Sequence, residues 1–369
     1  MASKIPNTKN NPRILQEIRQ QPAAITRILR RHTAGTKIIF PELAKLERAL
    51  KRAPKVWLVG SGSSYHSALL GKYLLEANAG LSAATETASE FHLRKPRLHA
   101  GELAIFLSQS GETADTYAAL KLARAQKLIT IALTNTIPSK IAAGAHAAIS
   151  VQSGKEQSIP STKVFSSEIT TLILLSLYFA QIRKKLGGLN IQKTIKALGK
   201  IPVEMQNILD KDAEFREIGR RYAKSKGFFV LGRDFNMAIA KEGALKIKEM
   251  ANLYAEGLPT GELKHGPITL VEKQFPAIFI SPKDNLYLKN KSVLMEVKSN
   301  GGIIIALGSA GDSALKRLAD KALLLPKTLP MLMPLLNVLA LQMIAYHLGL
   351  TLGRNLDEPR HLAKAVTHE

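Results

Sequence analysis

Residues 55–60 read KVWLVG and residues 226–232 read KGFFVLG. Each is a short apolar run that meets a glycine and is followed by a helical pattern, Ser67–Asn78 in the first case and Ala238–Ala251 in the second. The two lie about 172 residues apart. AIFLS at 104–108 matches AIFIS at 277–281 at nearly the same offset, and ITIAL at 129–133 matches IIIAL at 303–307. Three strand-like runs recurring in one order and spacing predict a duplicated domain. Each copy reads strand, helix, strand, helix, strand. The runs do not alternate apolar and polar residues, which suits strands buried on both faces of a parallel sheet. Helical crossovers between such strands give a doubly wound α/β fold, whose ligands sit at the carboxyl ends of the strands. The reading divides the chain into a helical arm (1–50), a first copy (51–205), a second copy (206–350) and a C-terminal tail (351–369).

Composition narrows the function classes. The 369 residues are 46% hydrophobic and 22% charged, the balance of a folded protein, and only 5% aromatic, so the cores must be aliphatic. The sequence has no cysteine, which excludes disulfides, thiolate metal sites and a cysteine nucleophile within it. It shows no cluster with metal-ligand spacing, and neither a metal nor an organic cofactor is expected. The first dozen residues are polar, with no signal-peptide run, which predicts a cytoplasmic location. The apolar stretch Pro334–Leu350 carries Asn337, Gln342 and His347 and is short for a bilayer span; a core or dimer helix starting at Pro334 is expected. The formal charge is +23, and residues 1–55 hold 13 of the Lys and Arg. That region has Phe40 as its one aromatic and no zinc ligands, so nucleic acid is not the expected partner.

Two polar loops directly follow strands of the first copy, Ser61–Ser64 and Ser108-Gln109-Ser110-Gly111-Glu112-Thr113. Hydroxyls from Ser108, Ser110 and Thr113, the Gln109 amide and a close backbone approach at Gly111 offer a phosphate dianion converging donors. A helix beginning near Thr113 or Ala114 adds its unpaired N–H groups. The alternative is a polar turn with Ser110 or Thr113 capping the helix. The second copy has Ser281-Pro282-Lys283-Asp284 at the matching place, so only the first copy is expected to hold an anion. Gly60-Ser61-Gly62 is not a dinucleotide fingerprint, because Tyr65 stands where the third glycine belongs, and no P-loop motif occurs.

Ionisable groups concentrate in the second copy. Glu242, Lys246 and Glu249 lie at i, i+4 and i+7, placing acid, base and acid on one helical face, which is either chemistry or a solvated salt-bridged surface. The segment Glu256–Pro267 is read as a loop in which His265 is placed for proton transfer, or else is a capping histidine. Lys364 in the tail is a further candidate or a merely solvated lysine.

SQSGET at 108–113, IPSTKVF around Ser161-Thr162-Lys163, EGALKIKE at 242–249, GELKHGP at 261–267 and PRHLAKAVT at 359–367 together resemble the isomerase half of glucosamine-6-phosphate synthase, a pair of sugar isomerase (SIS) domains. The resemblance runs from about Asn11 to the C-terminus. It implies that Ser64, Ser108, Gln109, Ser110 and Thr113 bind the sugar phosphate and that Ser161 contacts sugar hydroxyls. It further implies that Glu249 moves a proton between C1 and C2 with Lys246 assisting, that His265 opens the ring in the neighbouring subunit of a homodimer, and that Lys364 forms a Schiff base with the ketose. The synthases begin with a glutaminase domain whose cysteine attacks glutamine; neither is present in this sequence.

Interconversion of glucosamine 6-phosphate and fructose 6-phosphate with free ammonia, in the deaminating direction, is the expected function. The alternative is the isomerase module of a synthase that receives ammonia from a separate glutaminase. An alternative of another class is a non-catalytic sugar-phosphate sensor, which would need neither Glu249 nor Lys364.

Overall fold

The computed structural model describes residues 12–367. A two-residue hairpin, β1 (Thr33–Ala34) with β2 (Lys37–Ile38), precedes two five-stranded sheets. The first sheet comprises β3 (Lys55–Gly60), β4 (Ser82–Thr87), β5 (Leu103–Ser108), β6 (Ile129–Thr134) and β7 (Ala147–Ser150). The second comprises β8 (Gly227–Gly232), β9 (Tyr254–Pro259), β10 (Ala277–Ile280), β11 (Ile304–Ser309) and β12 (Lys321–Leu325). Their orders are β4-β3-β5-β6-β7 and β9-β8-β10-β11-β12, parallel throughout, one topology written twice. The three repeated runs become the three inner strands of each sheet, and their side chains are almost wholly buried.

The duplication extends to the backbone. Gly60 and Gly232 each end the first strand of their copy, where an added Cβ would lie 2.9 Å from the Ser64 carbonyl and 2.2 Å from that of Asn236. Gly62 and Asp234 then open the helices Ser63–Ala79 and Phe235–Ala251 in matching conformations, φ 55°, ψ −127° and φ 52°, ψ −130°. Both helices close on a left-handed residue, Gly80 and Asn252. Only glycine adopts the Gly62 geometry without strain, and an L-residue there costs on the order of 1–3 kcal/mol. Burial, and then the nearby Asp284, also hold the Asp234 carboxyl above its ordinary value. Asp234→Gly is therefore expected to raise the urea midpoint, by about 1 kcal/mol or more of stability.

Each sheet has two more strands than the repeat predicts. The polar SAATET of β4 and the Gly- and Pro-containing YAEGLP of β9 are edge strands, half exposed, so they lack the apolar signal of the inner ones. Glu256–Pro259 is thus strand, not loop; 3-10 turns follow at Thr260–Lys264 and Pro267–Leu270. The arm is likewise not helical throughout. Helices Arg13–Arg19 and Gln21–His32 give way to the hairpin, a 3-10 turn and the short helix Glu47–Arg52. Residues 1–11 of that arm and 368–369 of the tail lie outside the described residues.

The chain forms two compact units that exchange segments. Among the described residues, one takes Gln21–Glu156, Lys163–Pro202 and 363–367; the other takes 12–20, Gln157–Thr162 and Val203–Leu362. The first unit is built around Lys163–Ile182, which packs on Ser63–Ala79; the second around Met333–Thr351, which packs on Phe235–Ala251. Lys163–Ile182 and Pro330–Thr351 are long and apolar enough to cross a bilayer, but 89% and 94% of their most apolar windows are buried inside the fold. Hydrophobicity on every face of a helix is what full burial requires.

Two buried histidines make these units acid-sensitive. His32 stacks on Phe40 with Nδ1 3.1 Å from the Ile39 carbonyl oxygen, and His347 Nε2 lies 2.9 Å from Asp212 Oδ1. Burial above all pushes both imidazoles below their ordinary value of 6.5, so both are neutral at pH 7. Below that value the unfolded chain takes up protons that the folded rings refuse, and stability falls as the pH drops toward the folded values. The urea midpoint is expected to decline from about pH 7.5 to 5.5, with a shallower slope in His32→Gln.

Candidate active site

In the first unit, the segment after β5 turns sharply at Gly111 (φ +70°), where a Cβ would sit 2.1 Å from Ser139 Oγ. The turn folds Ser108 and Thr113 onto each other, with their hydroxyl oxygens 2.9 Å apart, and the Gly111 N–H donates to Ser108 Oγ at 3.0 Å. Ser110 Oγ accepts the Glu112 N–H at 3.1 Å. Glu112, the one acidic residue in the loop, is drawn off by Lys140, whose backbone N–H and ammonium lie 2.9 and 3.3 Å from its two oxygens. The Lys140 N–H above all, and then its ammonium, hold that carboxyl below its ordinary range. Its charge is thereby compensated outside the turn, which a loop that receives an anion requires.

Thr113 stands at the N-cap of Ala114–Ala125, yet its side chain makes no capping bond. The Ala114 N–H donates to the Val366 carbonyl of the tail, at 3.2 Å. Thr113 therefore does not cap the helix, while the Ser108 and Ser110 hydroxyls each accept a backbone N–H of the turn. In the first turn of the helix Ser63–Ala79, which follows the neighbouring strand β3, Ser64 donates to Glu168 Oε1 at 2.8 Å, and both residues are buried. Gln109 is half-buried, and its backbone carbonyl accepts the Asn135 N–H. Lys364 is half-buried and paired, with its Nζ 3.0 Å from Glu156 Oε2. The first unit thus gathers the loop, Ser64 and the tail lysine.

The second unit holds the acid-base-acid face, and that face points inward. Glu242 and Lys246 have no side-chain exposure and Glu249 retains 17%. Lys246 Nζ lies 3.3 Å from Glu242 Oε1 and also bonds Glu249 Oε2. Burial disfavours the ammonium, but the two carboxylates outweigh it and raise its proton affinity above the ordinary lysine value. Round the helix from this face, Gly243 lets the side chain of Leu341, on Met333–Thr351, come within 2.6 Å of where a Cβ would be. A solvated salt-bridged surface is excluded. Glu249 borders a pocket of about 360 Å³ with Leu245, Lys248, Asn252, Arg360 and His361.

His265 does not line that pocket; it is exposed, on the turn after Thr260–Lys264. Ser161 is half-buried beside Thr162, whose carbonyl accepts from Gln342. At the positions matching Gly62 and the Ser108–Thr113 loop, the second copy has Asp234 and Asp284, each held above the ordinary carboxyl value by burial first, with Asp284 raising Asp234 further. Among the described residues no group of three or more His, Asp or Glu is arranged to hold a metal ion. Sequence reasoning missed Glu156 and Glu168, single acids in polar or apolar stretches with no periodic partner to mark them.

A SIS domain profile matches residues 49–180 and again 221–352. The chain belongs to the SIS domain family. It aligns with the glutamine–fructose-6-phosphate aminotransferase (isomerizing) of Methanosarcina mazei at 38% identity over 358 residues, 96% of this chain. The same-named protein of Tropheryma whipplei is 38% identical over 360 residues. In each case the SIS chain spans 58% of the relative's length. Among solved structures, the C-terminal domain of the glucosamine-fructose-6-phosphate aminotransferase of Francisella tularensis superposes with a TM-score of 0.90 at 29% identity, covering 95% of this chain and 99% of that one. Glucosamine-6-phosphate deaminase of Thermotoga maritima shares the fold, with a TM-score of 0.73 at 23% identity, covering 96% and 99%.

Proposed function

We propose that this SIS chain is a sugar-phosphate isomerase of amino sugars, interconverting glucosamine 6-phosphate and fructose 6-phosphate with ammonia. The observation that carries the reading is the inward face of Phe235–Ala251, where Lys246 is buried between Glu242 and Glu249. Binding alone gives no reason to desolvate three charges. In this reading the Ser108–Thr113 loop takes the phosphate, with Gln109 and Ser64 beside it, and Ser161 meets sugar hydroxyls. Glu249 carries the proton between C1 and C2, Lys246 holds that carboxylate, and Lys364 forms an iminium that acidifies the proton. The reaction would take place in the cytoplasm.

The deaminating direction is tested by ammonia release from glucosamine 6-phosphate. The names of the relatives favour the reverse, aminating direction; in that variant a separate glutaminase delivers the ammonia. Product forming from fructose 6-phosphate only when a glutaminase is added supports that variant. Tight fructose 6-phosphate binding with no turnover in either direction would leave a sensor.

His265, exposed on its own chain, is assigned to the active site of a second copy in a homodimer. Mixing inactive His265→Asn and Glu249→Gln proteins under exchange conditions is then expected to restore activity, to about a quarter of wild type for random pairing with one intact site per mixed dimer. No recovery despite subunit exchange rules out the shared site.

A further inference from the structure

The tail is held at two points in the first unit. Two residues beyond Lys364, the Val366 carbonyl accepts the N–H of Ala114, the residue that follows the Ser108–Thr113 loop. Lys364 itself pairs with Glu156 at 3.0 Å, and the lysine keeps 27% exposure while the carboxylate side chain keeps none. The other Glu156 oxygen accepts the Val164 N–H at 3.2 Å, in the first turn of the 20-residue helix Lys163–Ile182. The carboxylate is therefore fixed in direction, with one oxygen on the backbone and the other on the lysine nitrogen.

A tail that needed only a clamp would gain little from this arrangement. An exposed pair is worth about 0–1 kcal/mol, and the Val164 N–H already compensates the Glu156 carboxylate in part without the lysine. A lysine that must act as a nucleophile has a different requirement: its ammonium has to lose a proton to a group within reach, and that group has to return it.

Resting on the isomerase reading above, we propose that Glu156 is the proton acceptor and donor for Lys364 when that amine condenses with the ketone of a ketose 6-phosphate. The Glu156 carboxylate takes one proton from the Lys364 ammonium. The freed nitrogen lone pair forms the N–C2 bond while the carbonyl π pair moves to oxygen. A second proton passes from that nitrogen to the oxygen, which gives the neutral carbinolamine. Glu156 then returns its proton to the hydroxyl, the C2–O bond breaks with departure of water, and the nitrogen lone pair closes the iminium. An ammonium and a ketone become an iminium and water, and Glu156 ends as it began. Proton transfer by a placed carboxylate contributes about 10²–10⁴-fold to such a step.

The test traps the iminium with sodium borohydride in the presence of fructose 6-phosphate and measures the mass added to the Lys364 peptide. Glu156→Gln is expected to slow adduct formation by about 10²-fold or more, and Glu156→Asp to recover a large part of it. Fructose 6-phosphate affinity, measured by calorimetry, is expected to stay within a few-fold in both variants. Adduct forming in Glu156→Gln at the wild-type rate overturns the proposal. So does a parallel loss of affinity and adduct in Glu156→Gln that Glu156→Asp does not rescue, the behaviour of a clamp. Absence of adduct in the wild-type protein, with the sugar bound, defeats the iminium reading itself and the relay with it.

Discussion

Glu249→Gln is expected to lower turnover of glucosamine 6-phosphate by about 10²–10⁴-fold, the range a positioned general acid or base supplies. The amide keeps the size and most of the packing of the carboxylate but cannot take a proton. Inorganic phosphate and fructose 6-phosphate should still bind, because the anion loop belongs to the other compact unit and Glu249 has no part in folding it. The KM is accordingly expected to move by no more than a few-fold while kcat collapses. Glu249 is also the most exposed member of its cluster, at 17%, so the substitution disturbs burial least there. An unchanged kcat removes Glu249 from the chemistry. A collapse in binding with kcat retained makes it a substrate contact instead.

The inner strands were legible in the sequence because burial on both faces demands unbroken apolar runs, and those runs recur in KVWLVG, AIFLS and ITIAL and their counterparts. The edge strands β4 and β9 were not, because an edge half open to solvent tolerates SAATET and YAEGLP as readily as a loop does. Helix starts were read late: Ser63–Ala79 and Phe235–Ala251 each begin three or four residues before their apolar pattern does, at strained turns no periodicity reports. The anion loop was legible as donors, but the fate of each donor was not. Thr113 occupies a cap position and yet its hydroxyl lies against Ser108, while the N–H of Ala114 beside it is taken by the tail carbonyl of Val366, more than 250 residues away. Glu156 carried no local signal at all; its partner Lys364 lies 208 residues along the chain. Spacing along a helix reveals partners three and four apart, as for Glu242, Lys246 and Glu249, and says nothing of partners that only the fold brings together.

The same spacing does not say whether a charged face is wet or dry, and that difference sets the largest stability effect expected in this chain. Lys246→Met is predicted to destabilise the protein by about 3–5 kcal/mol, the cost of leaving buried charge uncompensated. Methionine fills the space, but Glu242, with no exposure, loses the ammonium 3.3 Å away, and Glu249 loses its partner too. The ammonium is held above the ordinary lysine value of 10.5, so its contribution is complete at lower pH and is lost only as the pH climbs through the raised folded value. The difference in urea midpoint between wild type and variant should therefore stay constant from about pH 7 to 9. Adding Glu242→Leu to Lys246→Met is expected to return a substantial part of the loss, since an apolar pair in place of a buried ion pair is often neutral. Activity should not return with it, because Glu249 still lacks the ammonium that fixes it. Recovery of both would make the charges structural; recovery of stability alone identifies the buried lysine as a cost the fold bears for the proton transfer at Glu249.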